Sequence, residues 1–300
     1  MIRFFLYLQL MNFKSKLPNV RTTIFTIMSS LAKEHNALNL SQGFPDFESD
    51  PVLIELVSQA MKNGHNQYAP MMGVIELRTA IAQKFKKLYQ SSYSPEKEIV
   101  ITVGATQAIF TIISAFIHTN DEVIIFTPAY DCYQPSVELQ GGKVIPIQLQ
   151  YPKNTIDWSL VENSITSKTK MIIINSPQNP SGSIFSLSDM KRLEKITNYT
   201  DIIILSDEVY EHMIFDGKKH QSICLFPELK KRSFITASFG KTFHNTGWRV
   251  GYCCGPENLM REFIKVHQFN VYSVNHPVQI ALAKYLEEPK HYNLLPEFFQ

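Results

Sequence analysis

Apolar residues fall in short blocks through the middle of the chain, with turn-forming residues between them. Glu98–Val103, Glu122–Thr127, Lys143–Leu149, Lys170–Asn175, Asp201–Ser206, Ser233–Ala237 and Val250–Gly255 are rich in Val, Ile or aromatic side chains. Short runs of this composition, bounded by Gly, Pro, Asn and Asp, predict strands. Helical spacing of apolar residues falls between them: Ala105–Ile117 opened by Gly104, the stretch up to Leu139, Trp158–Ile165, Leu187–Asn198 and a helix from Pro256. Earlier, Ile24, Ile27, Met28 and Leu31 share one helical face within Thr22–Lys33, in an otherwise irregular arm. Asp50-Pro51 supplies an N-cap and a first-turn proline for a helix to Met61, which Asn63-Gly64 ends. Another helix is predicted over Val74–Tyr89. Strands that alternate with helices and are themselves nearly continuous Val/Ile runs predict an α/β fold. Its mainly parallel sheet is covered by helices on both faces, giving three layers.

In such sheets ligands meet the carboxyl ends of the strands. The polar motifs fall at those ends: Gly104–Thr106, Tyr130, Asn175–Gly182, Asp207–Tyr210 and Ser238–Lys241. Ser233–Ala237 leads into residues 238–251, and a strand-like run, Arg249–Gly255, leaves them. Lys241 has Ser238 three residues before it and Arg249 eight after it. A lysine held there beside a hydroxyl and a guanidinium suits covalent chemistry next to a bound phosphate. Gly104-Ala105-Thr106 opens a helix after a strand, so its amides and the Thr106 hydroxyl would face an anion. Each residue also has a plainer use. Lys241 would serve as a surface ion-pair partner, Asp207 as a turn cap, Asn179 in an Asn-Pro turn and Tyr130 as core.

The 300 residues suffice for one large domain or two smaller ones. A formal charge of +2 gives no case for nucleic acid or an anionic membrane as partner. Cys132, Cys224, Cys253 and Cys254 show no metal-ligand spacing and read as reduced, partly buried thiols of a cytosolic protein. The apolar first ten residues are too short to span a bilayer and lack a cleavage site, and Met11 reads as an alternative start.

Lys16-Leu-Pro-Asn-Val20, Leu40-Ser-Gln-Gly-Phe-Pro-Asp-Phe47, Asp207-Glu-Val-Tyr-Glu-His212 and Ser238-Phe-Gly-Lys-Thr242 carry a resemblance from about Lys14 to the last residue. The chain resembles the fold-type I, class I/II aminotransferases that use pyridoxal 5'-phosphate, above all the methionine and kynurenine/glutamine aminotransferases. The resemblance implies that Lys241 bonds covalently to the cofactor and moves the proton at the substrate α-carbon. It implies that Asp207 pairs with the pyridine nitrogen and that Tyr210 and Asn179 contact the phenolic oxygen. Gly104, Ala105, Thr106, Ser238 and Arg249 would hold the phosphate, and Tyr130 would stack on the ring. Tyr68 would reach the cofactor of a neighbouring subunit, which requires a homodimer with shared active sites. Gly43 and Asn179 would lie at the substrate carboxylate. The expected substrates are an amino acid (methionine, aromatic or glutamine-like) and a 2-oxo acid, and the expected location is the cytoplasm.

Members of that family continue past the point matching Gln300 into a small C-terminal domain, which carries an arginine for the substrate carboxylate. The expected organisation is therefore an arm over residues 1–50, a cofactor-binding domain over 51–285 and the start of a truncated small domain over 286–300, with substrate binding impaired. Two other readings share these residues: a carbon–sulfur β-lyase on the same fold, and a catalytically silent, dimer-forming remnant.

Overall fold

The protein is described from a computed structural model, which covers residues 14–41, 43 and 47–300. The expected start at Met11, and Gln42 and residues 44–46 of the Leu40–Phe47 motif, lie outside the described residues. The chain divides into two compact units, Met1–Phe44 and Pro45–Gln300.

In the first unit, α1 (Ile24–Glu34) is opened by Thr23, whose hydroxyl accepts the Thr26 N–H at 3.3 Å. Its apolar stripe is the one the spacing predicts, yet none of its residues is buried. Gly43 belongs to this unit and is exposed.

The second unit begins with α2 (Pro51–Lys62) and α3 (Ile75–Tyr89). Then follow β1 (Ile99–Thr102), α4 (Gly104–Phe116), β2 (Glu122–Thr127), α5 (Tyr133–Leu139), β3 (Lys143–Gln148), α6 (Trp158–Ser164), β4 (Thr169–Asn175), α7 (Leu187–Thr197) and β5 (Ile203–Asp207). The rest comprises α8 (Pro227–Lys230), β6 (Ser233–Ser238), α9 (Phe239–Thr242), β7 (Gly251–Cys254), α10 (Glu257–Asn270), α11 (His276–Tyr285), α12 (Lys290–Asn293) and α13 (Leu295–Phe299). Asp50 caps α2, accepting the Val52 N–H at 2.8 Å, with Pro51 in the first turn.

Seven strands form one sheet in the order β1-β7-β6-β5-β4-β2-β3. The neighbours from β6 through β3 pair in parallel, while β7 runs antiparallel to both β6 and β1. Side chains alternate between two apolar layers, as period two requires. Ile172, Ile174, Ile204 and Ile235 enter one layer. Met171, Ile173, Ile203, Leu205 and Phe234 enter the other, under Ile109, Ile112 and Ile113 of α4 and Val137 of α5. Each such side chain contributes about 1.5–3 kcal/mol on leaving water. Tyr292 and Leu295 join the first layer, so residues near the end of the chain share the core of this unit. No helix among the described residues is long and apolar enough to cross a membrane.

The sequence reading needs one local correction. Arg249 is not the start of a strand: it is exposed, in a left-handed conformation (φ 55°), and ends a short 3-10 turn at Thr246–Trp248. Lys241 sits on the single helical turn of α9, which the apolar pattern did not predict.

Candidate active site

The strands of the second layer end in polar residues on that same face. Met171 and Ile173 lead to Asn175, Ile203 and Leu205 to Asp207, and Phe234 and Thr236 to Ser238. Parallel pairing sets Asn175 opposite Asp207, and Asp207 opposite Thr236. Antiparallel pairing sets Gly251 opposite Ser238 on one side and Thr102 on the other. Asp207, Asn175, Ser238 and the start of α4 therefore share one end of the sheet.

Gly251 is the point of closest approach. A methyl group added there would lie 2.5 Å from the Ala237 carbonyl oxygen and 3.0 Å from the Ala105 nitrogen. At Gly104 (φ +71°) an added methyl would meet Nη2 of Arg249 at 2.7 Å. The first turn of α4 thus lies against β7 and under the Arg249 guanidinium. That turn carries no acidic residue, and its free amides and helix dipole favour an anion. Arg249 donates to the Thr246 carbonyl at 3.0 Å and has no carboxylate partner among the described residues. The Thr106 hydroxyl does not stand free as the sequence suggests, because it shares a 3.0 Å hydrogen bond with the Tyr130 hydroxyl.

Lys241 is half-buried, with Nζ 5.9 Å from the centre of the Tyr210 ring. Burial and the nearby Arg249 charge both lower its pKa, which favours the neutral amine a nucleophile needs. Asp207 is almost fully buried. Loss of solvation lifts its pKa to about 6, although hydrogen bonds from Tyr133 and Val209 oppose the rise. No cation of the described chain is among the groups that perturb it. Burial and the Asp207 charge push Tyr210 up to about 12, so its hydroxyl stays protonated.

Asn179 is joined to this group through Asn175. The Asn175 side chain donates to the Asp207 carbonyl at 2.9 Å and accepts the Asn179 N–H at 2.7 Å. Gln178 donates to the Pro128 carbonyl and so fastens the Asn179 turn to the segment that bears Tyr130. A cavity of about 680 Å³ lies alongside, lined in part by Tyr133, Asn175, Asn179, Tyr210, Met213 and Phe215. Tyr68 is well away from burial, 80% exposed, and makes an edge contact with Tyr272 at 5.6 Å.

Sequence reasoning does not single out Tyr133 and Thr236, and it places Asn175 at a strand end without a role of its own. Tyr133 donates to Asp207, Asn175 links two site segments, and the Thr236 hydroxyl is buried without a partner among the described residues. Period two, continued one step past Ile173, would have placed Asn175 beside Asp207.

A family model described as Aminotransferase class I and II matches residues 35–297. The chain belongs to the class I and II aminotransferases. Methionine aminotransferase of Escherichia coli K12 is 45% identical over 96% of this chain and 75% of its own length. Kynurenine–oxoglutarate transaminase 1 of Mus musculus is 34% identical over 90% of this chain and 67% of its own. The solved structure of YbdL from Escherichia coli, reported with a methionine aminotransferase function, superimposes with a TM-score of 0.92. It is 44% identical, over 96% of this chain and 75% of that one. This aminotransferase has the fold-type I architecture, and its reaction is pyridoxal-phosphate-dependent transamination between an amino acid and a 2-oxo acid. The lyase reading is not favoured.

Proposed function

We propose that this aminotransferase acts on methionine and on aromatic or glutamine-like amino acids, with Lys241 as the covalent and proton-transferring residue. The carrying observation for the substrate is the 45% identity to a methionine aminotransferase over 96% of the chain. For the residues it is the convergence of Asp207, Asn175, Ser238, Gly251 and Arg249 on one sheet end.

The donor set fits the cofactor. A buried carboxylate without a cation among the described residues suits a protonated ring nitrogen, and a guanidinium over a helix start without a carboxylate among those residues suits a phosphate. When bound, pyridoxal phosphate supplies an aldehyde that reacts with amines and a cationic ring that takes up the electron pair left by α-proton removal. Asp207 would hold the ring nitrogen protonated. Tyr210 and Asn179 would bind the phenolic oxygen, and Tyr130 would pack on the ring. Gly104, Ala105, Thr106, Ser238 and Arg249 would bind the phosphate, while Thr106 steadies Tyr130. Lys241 carries the proton to and from the α-carbon, helped by its lowered basicity. Asn179 would orient the substrate carboxylate. Tyr68, exposed on one protomer, reaches the phosphate site of the other in a homodimer. Residues 51–285 form the cofactor-binding domain. Four free thiols fit a cytoplasmic location.

The test is direct. The full chain mixed with pyridoxal phosphate develops a visible absorption band that Lys241→Ala lacks. With a 2-oxo acid acceptor, kcat/KM is higher for methionine than for aspartate. A band that survives in Lys241→Ala removes the covalent role, and a preference for aspartate removes the substrate assignment.

A further inference from the structure

Tyr133 opens α5 and lies in the apolar layer under the sheet, 3% exposed. Its hydroxyl donates to Oδ2 of Asp207 at 2.6 Å. Among the described residues the other oxygen, Oδ1, accepts only the Val209 N–H, at a long 3.3 Å. Both side chains are out of water, where a hydrogen bond to an ionised group is strong and its loss is costly. The Tyr133 pKa lies well above its ordinary value, first through burial and then through the Asp207 charge, so the hydroxyl keeps its proton and acts as donor.

We propose that Tyr133 is a positioning residue for Asp207: it fixes Oδ2, leaves Oδ1 to meet the cationic ring nitrogen, and stabilises the charged carboxylate. The inference rests on the cofactor role of Asp207 given above. The surroundings of Asp207 leave few competitors for this part. Glu208 follows it in the chain and raises its pKa. From the segment before α5 come Tyr130 and Cys132, from its first residue Tyr133, and from the turn after β5 Tyr210. On the flanking strands the residues opposite are Asn175 and Thr236, which do not titrate. Among these, Tyr133 is the side chain that donates to the carboxylate. Edge-on contact with Tyr130, at 5.7 Å between ring centres, ties its ring to the residue proposed to stack on the cofactor. One small unit thereby sets both the charge partner and the stacking partner of the ring.

The test uses the full chain with 13C-labelled aspartate, stripped of cofactor, and follows the Asp207 carboxyl carbon with pH. Its signal is assigned by its absence in Asp207→Asn. The wild-type midpoint falls near the value of about 6 set by burial. In Tyr133→Phe, which keeps the ring and the packing, the midpoint rises by roughly one pH unit. An unchanged midpoint in the folded variant overturns the proposal. Should Tyr133→Phe not fold, the Cζ signal of Tyr133 in the wild type decides: it steps at the Asp207 midpoint, and a signal without that step overturns the proposal. A separate arm tests the underlying role. Pyridoxal phosphate binds less tightly to Asp207→Ala, and undiminished affinity would remove the cofactor role of Asp207 while leaving the Tyr133 bond standing.

Discussion

Asp207 is a buried carboxylate with no cation among the described residues to answer it. In the folded chain its pKa is about 6 against an ordinary 3.8, so between those values the folded state keeps a proton that the unfolded state has lost. Stability from this group is therefore full below pH 3.8 and is lost as pH rises through about 6. Asp207→Asn cannot ionise. It stabilises the cofactor-free chain at about pH 8 by up to about 3 kcal/mol and has little effect near pH 4. Urea unfolding at the two pH values checks this, and equal effects at both would contradict it. Asp207 was legible in the sequence because it breaks an apolar run at a strand end. Tyr133 was not, because an aromatic residue in a helical pattern reads as core. Only the three-dimensional register shows that its hydroxyl meets a carboxylate 74 residues away.

The turn after β5 works as a unit. Asp207 and Tyr210 serve the candidate site, while Glu208 and Glu211, each one residue later, are clamped elsewhere. Glu208 accepts from the Ser206 hydroxyl at 2.8 Å and the Ile223 N–H at 3.0 Å, and pairs with His220 at 2.8 Å. Glu211 pairs with buried Lys84 and accepts from Tyr89 at 2.6 Å and Tyr252 at 3.3 Å. Burial, the largest single influence, would raise the Glu211 pKa, but the Lys84 and His212 charges and the hydrogen bonds from Lys84 and Tyr89 together outweigh it and hold the group down to about 2. The stability it contributes is full above pH 4.5 and is lost as pH falls toward 2. Lys84→Met leaves that charge without its cation and costs about 3–5 kcal/mol, while Lys84→Met with Glu211→Leu recovers much of the loss. Denaturant midpoints of the single and double variants measure the difference; equal loss in both would mean that the clamp is not electrostatic. At this scale the strands were legible to within a residue or two, because buried parallel strands carry their pattern in composition. The clamp was not, since Lys84 and Glu211 are 127 residues apart and look like ordinary surface charges.

At the scale of the molecule, the exposed aromatic side chains matter most. Tyr68, Phe269 and Tyr272 are 80%, 86% and 56% exposed, and Tyr68 touches Tyr272. If Tyr68 serves the partner's site, two weakened variants restore each other. Mixing unfolded Tyr68→Ala and Lys241→Ala and refolding them together regains up to about a quarter of wild-type turnover, since half the dimers are mixed and each has one intact site. Turnover no higher than the sum of the two parents would show that each protomer works alone. The expectation of shared sites comes only from family resemblance, because no local pattern says which aromatic residues would meet a second copy. Gly251 bears on a different matter, the order in which a ribosome delivers the parts. The proposed phosphate cradle joins Gly104 and Ala105 to a strand made almost 150 residues later. A nascent chain halted after Lys241 but before Cys254 would own the reactive amine and lack the strand that closes the cradle around it. Vitamin B6 capture would then come as a late event in synthesis, and the yellow colour of the loaded enzyme would date the moment when β7 slid between β1 and β6.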